Sequence, residues 1–383
     1  MTALDVSHEA EAPSLAGQMV QIRQASGLSP TAIAATFARL ARGPGKVSFQ
    51  DFIRLRLFDR EVTSAAAPSE FVGQRRNRDI CVTVNYRHDW YGLMSDKVAL
   101  SAYLASYGLP TIPIAAIYAP AVGGAPPVLS DRQALESFLT ALGNFPLFGK
   151  PVEGFQSLGS IALRRWHAAE GQLETMDGRR IPLTQFVSEI EEHYRSGYVF
   201  QPLKSPHGRV GELCGQRLAS VRILTALTET GPRVIRACWK IPAGGNLADN
   251  YWRPGNLLAQ IDLDSGKVLR VTSGAGLNMT VHEQHPDSGR PLIGFGLPSW
   301  DEMKRLALQG ARVMRHMPLI GWDIAPAESG PVIVEMNETP DFFLVQFADR
   351  RGILDAEFRA FMDFQAKNAA LHVKEMKAAI AKL

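Results

Sequence analysis

Two short segments near the end of the chain constrain its fold more than any other feature: Gly321-Trp322-Asp323-Ile324-Ala325 and Pro331-Val332-Ile333-Val334-Glu335-Met336-Asn337. Each has strand character, and Pro326-Ala327-Glu328-Ser329-Gly330 between them has turn chemistry. Alternation along a strand places Glu335 and Asn337 on one face and Val332, Val334 and Met336 on the other. Folding the hairpin about Ser329 sets Asp323 opposite Glu335. Like charges facing each other on a sheet repel, and a cation bound between them would remove that cost. Two carboxylates and an amide oxygen suit a hard, oxygen-preferring ion such as Mg²⁺, which is usually shared with phosphates. The large apolar residues around both acids predict that both are buried.

The chain has 383 residues, enough for a large core and two or three lobes. A formal net charge of +3 gives no reason to invoke nucleic acid or anionic lipid. Cys81, Cys214 and Cys238 are widely spaced and form neither a metal-ligand pattern nor a disulfide framework; they read as small buried hydrophobes in a reducing compartment. The N-terminus lacks a basic-then-apolar signal pattern, and no apolar run is long enough to span a bilayer. The expectation is a cytoplasmic protein with no membrane insertion.

Residues 1 to about 70 read as mostly helical, with Val20, Ile22, Ala25, Ile33, Phe37 and Leu40 as apolar anchors and a break at Arg42-Gly43-Pro44-Gly45. Ser69 to Arg78 reads as a polar, exposed stretch. Ser95 is the expected N-cap of a helix running to about Tyr107, with Lys97 in its first turn. Strands are expected at 111–118, 147–154, 160–163, 198–203, 220–227, 233–240, 257–262 and 267–272, and helices at 128–142 and 183–193. Ser299 with Glu302 forms a capping box for a helix to about Met314. A helix from about Asp355 to Lys382 closes the chain. Segments 164–180, 241–256 and 273–298 read as loops. Strands and helices mix irregularly, which favours α+β lobes over a doubly wound parallel sheet, and no dinucleotide or P-loop fingerprint occurs.

A lysine at a strand end, Lys150, precedes the loop Glu153-Gly154-Phe155-Gln156-Ser157-Leu158-Gly159-Ser160, whose backbone N–H groups could bend over phosphate oxygens. In isolation that segment is an ordinary turn. The series Lys97, the Lys150 loop, Gln201-Pro202-Leu203, Arg222 on a strand, then Asp323, Glu335 and Asn337 resembles the ATP-grasp superfamily over roughly residues 95 to 345. Glu335-x-Asn337 after Asp323 is the most specific part. Arg217 to Thr225, His285-Pro286-Asp287-Ser288-Gly289, Gly321 to Ala325 and Gly45 to Arg54 look like the sugar-transfer-associated group of that superfamily. Two positions depart from the pattern. Tyr251 to Asn256 has Pro-Gly-Asn where paired glycines are expected, and Gly321 stands where amino-acid-condensing relatives often carry arginine.

The resemblance implies an α+β ATP-grasp fold, two lobes clamping ATP, after a helical N-terminal region. The implied organisation is a helical region at 1–95, a pre-grasp segment and small lobe at 96–203, a large lobe with the metal site at 204–350 and a C-terminal helix at 351–383. Lys97 and Lys150 would neutralise the α- and β-phosphates. Gln156, Ser157, Gly159 and Ser160 would close over the β- and γ-phosphates, and the backbone of Phe200 to Leu203, including Gln201 and Pro202, would pair with adenine. Asp323, Glu335 and Asn337 would hold Mg²⁺. Arg222 would bind the γ-phosphate or an acyl-phosphate, or else would form an ion pair at the edge of the core. Asn250, Arg253 and Asn256 lie in a polar insertion that could touch substrate, and Glu338, Asp341 and Arg350 are weaker candidates of the same kind. The implied activity is ATP- and Mg²⁺-dependent ligation of a small-molecule carboxylate to an amine through an acyl-phosphate. A phosphotransferase and a catalytically silent nucleotide-binding protein are the alternatives, and a homodimer is common among related proteins.

Overall fold

The computed structural model describes residues 15–59, 61–62, 67–119, 127–153 and 158–382. Its helices are α1 (Leu15–Ser26), α2 (Pro30–Arg42), α3 (Phe49–Arg54), α4 (Gln74–Val84), α5 (Tyr91–Ser95), α6 (Lys97–Ser106), α7 (Arg132–Thr140), α8 (Leu183–His193), α9 (Gly208–Cys214), α10 (Trp300–Val313), α11 (Phe342–Asp349) and α12 (Ala356–Ile380). Among the described residues, fourteen strands form two seven-stranded sheets. The first has the order β2-β1-β7-β3-β4-β5-β6, from β1 (Ala116–Tyr118), β2 (Val128–Leu129), β3 (Leu147–Pro151), β4 (Ile161–His167), β5 (Gln172–Thr175), β6 (Arg180–Pro182) and β7 (Tyr198–Pro202). The second has the order β12-β11-β10-β9-β8-β13-β14 and is antiparallel throughout. Its strands are β8 (Val221–Thr228), β9 (Gly231–Ile241), β10 (Leu257–Ile261), β11 (Val268–Ser273), β12 (Thr280–Val281), β13 (Leu319–Ala327) and β14 (Gly330–Asn337).

Sequence alternation places the second sheet's core. Ile320, Trp322 and Ile324 of β13 join Val221, Ile223, Trp239 and Ile241 against Met303, Leu306 and Ala307 of α10. Gly310 makes that packing possible: a Cβ there would lie 2.5 Å from the Trp322 ring. The opposite face carries Leu224, Ala226, Cys238 and Leu258, covered by apolar residues of α1–α3, α11 and α12. A burial of both faces explains why β13 is buried along its whole length. The first sheet packs on α7 and α8 through Leu135, Leu139, Phe186 and Ile190.

Several local expectations need correction. Asp96, not Ser95, caps α6: its carboxylate accepts from the Val98 and Ala99 N–H groups. Ser299 sits in the left-handed region with no side-chain cap bond, so the expected capping box does not form. Residues 164–180, read as a loop, hold the end of β4, all of β5 and the start of β6. Val20 and Ala25 are exposed, whereas Ile22, Ile33 and Leu40 are buried. The Ser69–Arg78 stretch buries Phe71, Val72 and Asn77 and opens α4. Simple alternation also fails on β14. Asp323 does pair with Glu335, but Ile324 pairs with Ile333, so Val334 is bulged out. Ile333 and Met336 therefore share the core, while Val332 packs with Ile112 and Ala325 and Val334 packs beside them.

Three buried amides tie the N-terminal helices to the segment that follows β14. Asn77 bonds the Pro340 carbonyl and the Phe342 N–H. Gln346 exchanges two bonds with the Val72 backbone. Asn85 accepts from the Leu319 N–H at 2.9 Å and donates to the Leu319 and Glu338 carbonyls at 2.8 and 2.7 Å. Asn85→Ala leaves these three backbone groups without their buried partner, so equilibrium denaturation is expected to show a loss of about 2–4 kcal/mol; a loss below about 1 kcal/mol would contradict this anchoring role.

Candidate active site in the cleft between the sheets

Strand register brings the charged residues together. Asp323 on β13 lies between Arg222 on β8 and Glu335 on β14. Arg222 in turn opposes Cys238 on β9, and Lys240, two residues further, shares that face. The Arg222 Nε donates to Asp323 Oδ1 at 2.6 Å and its Nη2 donates to Oδ2 at 3.0 Å. Lys240 Nζ donates to the same Oδ2 at 3.0 Å and lies 3.5 Å from Asp249 Oδ1. Asp249 is held in place by the backbone and hydroxyl of Ser220. Arg222, Lys240 and Asp323 are 6%, 7% and 2% exposed. Burial alone would raise the Asp323 carboxyl, but the charges and hydrogen bonds of Arg222 and Lys240 outweigh it and hold the group at about 2. Burial opposes the charge on Lys240 too, yet Asp249 and Asp323 reverse that effect and raise its pKa.

This arrangement corrects the charge argument made from sequence. The carboxylate of Asp323 is already neutralised by two cations, so no metal is needed to relieve repulsion from Glu335. Glu335 is not buried either; β14 is the edge strand of its sheet, and Glu335 is exposed and Asn337 half-buried. The donor set still suits a hard divalent cation. Glu335 and Asn337 would supply accessible oxygens, and Asp323 would join only by sharing a carboxylate that Arg222 and Lys240 already hold.

A cavity of about 800 Å³ joins this cluster to the first sheet. Its wall includes Lys97, Lys150, Ser160, Gln201, Pro202 and Leu203, with Arg222, Lys240, Asp323, Glu335 and Asn337 opposite. Lys97 is the first residue of α6, and its ammonium donates to the Val152 carbonyl at 3.1 Å. Lys150 is half-buried on β3; burial lowers its pKa, Glu335 opposes the shift and Lys97 adds to it. An anion in the cavity would be met by an ammonium that lacks full solvation. Gln156 and Ser157 lie outside the described residues. Gly159 is buried, and its carbonyl accepts from the Tyr198 hydroxyl at 2.8 Å. Some of the hydrogen bonds expected for adenine are already used. The Gln201 side-chain amide donates to the Ile112 carbonyl and the Leu203 N–H to the Pro146 carbonyl. The Phe200 carbonyl accepts from the Ala115 N–H, because β7 lies inside its sheet.

Among the weaker candidates, Asn250 and Asp341 line the cavity. Asn256 is fully buried and pins its own loop through the Ala243 N–H and the Ala248 and Asn250 carbonyls. Arg350 pairs with Glu61 instead. Lys240, Asp249 and Trp252 were not anticipated. Lys240 becomes visible only once β8 and β9 are in register. Trp252 donates to Asp341 Oδ2 at 3.2 Å and is stacked beneath Arg54, 4.2 Å away, from the N-terminal helices. The structure also accounts for Gly321. A Cβ there would lie 2.8 Å from Pro340 Cβ and 3.2 Å from Arg222 Cδ, so the stem of Arg222 occupies the space above it.

The Asp323 carboxyl falls from its ordinary 3.8 to about 2 on folding. Its stabilising contribution is therefore complete above the unfolded value and is lost as pH drops through the folded one. Asp323→Asn leaves the buried Arg222 uncompensated and Lys240 with Asp249 alone, and is expected to cost about 3–5 kcal/mol at neutral pH. In denaturant titrations the gap between wild type and variant should be constant from about pH 5 to 8 and narrow between about pH 4 and 2. A gap independent of pH down to about 2 would contradict the charge cluster.

Residues 80–360 match the family described as sugar-transfer associated ATP-grasp. In structure, the chain is similar to the D-alanine–D-alanine ligase from Coxiella burnetii at 10% identity and a TM-score of 0.42, over 76% of this chain and 62% of that one. It is similar to the D-alanine–D-alanine ligase from Bacillus anthracis at 11% identity and a TM-score of 0.38, over 75% and 70% of the two chains. It is also similar to N5-carboxyaminoimidazole ribonucleotide synthetase from Thermotoga maritima at 10% identity and a TM-score of 0.33, over 71% and 49%. The chain thus spans less than two thirds of the first and third of these proteins. No curated protein matches its sequence. Among the described residues, no helix is long and apolar enough to cross a membrane. The family match covers most of the chain, and the chain belongs to the sugar-transfer-associated ATP-grasp family.

Proposed function

We propose that this ATP-grasp protein is an ATP- and Mg²⁺-dependent carboxylate–amine ligase. One observation carries the reading: a single cavity sets Lys97, Lys150 and Ser160 against Arg222, Lys240, Asp323, Glu335 and Asn337. Among the described residues its wall has seven basic side chains and five acidic ones, a balance that favours a polyanion. Lys97 and Lys150 bind phosphates as point charges, and Lys150 gains most because burial has already cost it solvation. Glu335 and Asn337, with Asp323, would hold the divalent ion, which would supply charge stabilisation at the phosphates. The adenine lies along Gln201 to Leu203.

The substrate carboxylate attacks the γ-phosphorus and the bond to the ADP oxygen breaks, giving an acyl-phosphate. An amine then attacks the carbonyl carbon, phosphate leaves with the bonding electrons, and the nitrogen loses a proton. Arg222 and Lys240, held in place beforehand by Asp323, would stabilise the charge gained by the transferred phosphoryl group. Arg222 crosses above Gly321 and so reaches the place that a side chain at 321 would serve. The N-terminal helices support the acceptor side through the Arg54–Trp252 stack.

The protein, incubated with Mg²⁺-ATP and a panel of acids and amines, is expected to release phosphate only when both an acid and an amine are present. Glu335→Ala should reduce that release at least 100-fold, since it removes a metal ligand. ADP with a phosphorylated product and no free phosphate would identify a phosphotransferase. Nucleotide binding without turnover across the panel would identify a silent binding protein.

A further inference from the structure

Among the described residues the cavity wall holds five carboxylates, and four of them have evident partners or tasks. Asp323 is bonded to Arg222 and Lys240. Asp249 accepts from Ser220 and lies beside Lys240. Asp177 accepts from Thr175 and Arg179, and Glu335 is the accessible acid of the divalent-ion set. The fifth, Asp341, is half-buried at the N-cap of α11. Both groups that donate to it are neutral: the Phe343 N–H at 2.9 Å to Oδ1 and the Trp252 indole N–H at 3.2 Å to Oδ2. Each carboxylate oxygen keeps a second lone pair. The charged or titratable groups facing it are Arg222 from β8, Arg54 from α3 and Cys81 from α4. Burial pushes the Asp341 carboxyl above its ordinary value, against the pull of the Phe343 N–H, Arg222, Arg54 and Trp252. Burial also raises the Cys81 thiol, and it raises the Cys214 thiol and the Tyr251 hydroxyl in the cavity wall, so all three stay protonated at neutral pH. Asp341 is therefore the one uncommitted carboxylate in the described wall.

We propose that Asp341 is the general base that takes a proton from the nucleophile in the second half-reaction. The role rests on the ligase reading. An alkylammonium titrates near about pH 10, so only about one molecule in a thousand is a free amine at neutral pH. The Asp341 carboxylate accepts one proton, and the nitrogen lone pair then attacks the acyl-phosphate carbonyl. The C–N bond forms as the C–O bond to phosphate breaks. Phosphate leaves with the electron pair and takes the second proton from nitrogen, and Asp341 returns its own to water. Proton transfer from an ammonium to a carboxylate turns two charged groups into two neutral ones, and a desolvated wall favours that direction. A carboxyl raised towards neutrality is also a better base than an ordinary aspartate. Arg222 is among the charges it faces, so the base and the group that would stabilise the phosphoryl share one end of the cavity.

The test compares two nucleophiles in the full chain with Mg²⁺-ATP and the acid panel: alkylamines, which are protonated at neutral pH, and hydroxylamine, which is not. Asp341→Asn should slow amide formation from the alkylamine about 100-fold at pH 7 while hydroxamate formation stays within about threefold of wild type. Asp341→Ser, which keeps an N-cap oxygen, should give the same split. The pH profile supplies a second readout. In either variant the alkylamine rate should climb about tenfold per pH unit between about pH 7 and 9, because only the free amine reacts, whereas the wild-type rate should be nearly flat there. Equal loss with both nucleophiles would make Asp341 a structural cap and overturn the proposal, as would amide formation unchanged in both variants. Phosphate release from wild type with neither nucleophile would sink the ligase reading itself, and so would no release at all; the base falls with it. Turnover with a lost split sinks the base alone.

Discussion

The bond on which the site depends is the buried contact between Asp323 and two cations, Arg222 and Lys240. Arg222 could not stay dry in the cleft wall without that carboxylate, because an uncompensated buried charge is costly. Asp249, locked by Ser220, completes the balance on Lys240. Charge is thereby fixed on adjacent strands with little freedom to reorganise. That is the condition under which electrostatic stabilisation of a reacting anion works best. The same geometry gives Asp323 two tasks, since it holds its neighbours and faces Glu335 at once.

Around this cluster the fold separates stability from function. One face of the second sheet is closed by α10, and most of the other is closed by the N-terminal helices with α11 and α12. Only the end carrying Arg222, Lys240 and Asp323 opens to the cavity. The edge strand β14 leaves Glu335 and Asn337 accessible there. Lys150 on the facing sheet is held with its ammonium partly desolvated, an arrangement that stabilises a bound anion more than it stabilises the empty fold.

Much of this was legible in the sequence. The hairpin and the pairing of Asp323 with Glu335 follow from alternation and turn chemistry, and the family follows from the order of lysines, Arg222 and the Glu335-x-Asn337 pair. What stayed hidden depends on contacts between distant segments. Lys240 meets Asp323 only through the registers of three strands. Asn77, Asn85 and Gln346 look like ordinary polar residues until their backbone partners, hundreds of positions away, are in place. The exposure of Glu335 was misread because apolar neighbours imply burial only on an interior strand, and β14 is an edge. The bulge at Val334 left no signal, since either residue of a Val-Ile pair fills the core equally well.

The central proposal is that the acid-and-amide end of β14 would hold the divalent ion that accompanies the nucleotide. Calorimetric titration of ADP into wild type and Glu335→Gln, each with and without Mg²⁺, tests it most directly. The account predicts that Mg²⁺ tightens ADP binding in the wild type and no longer does so in the variant, while metal-free ADP affinity stays the same in both. Equal tightening by Mg²⁺ in the two proteins would contradict it.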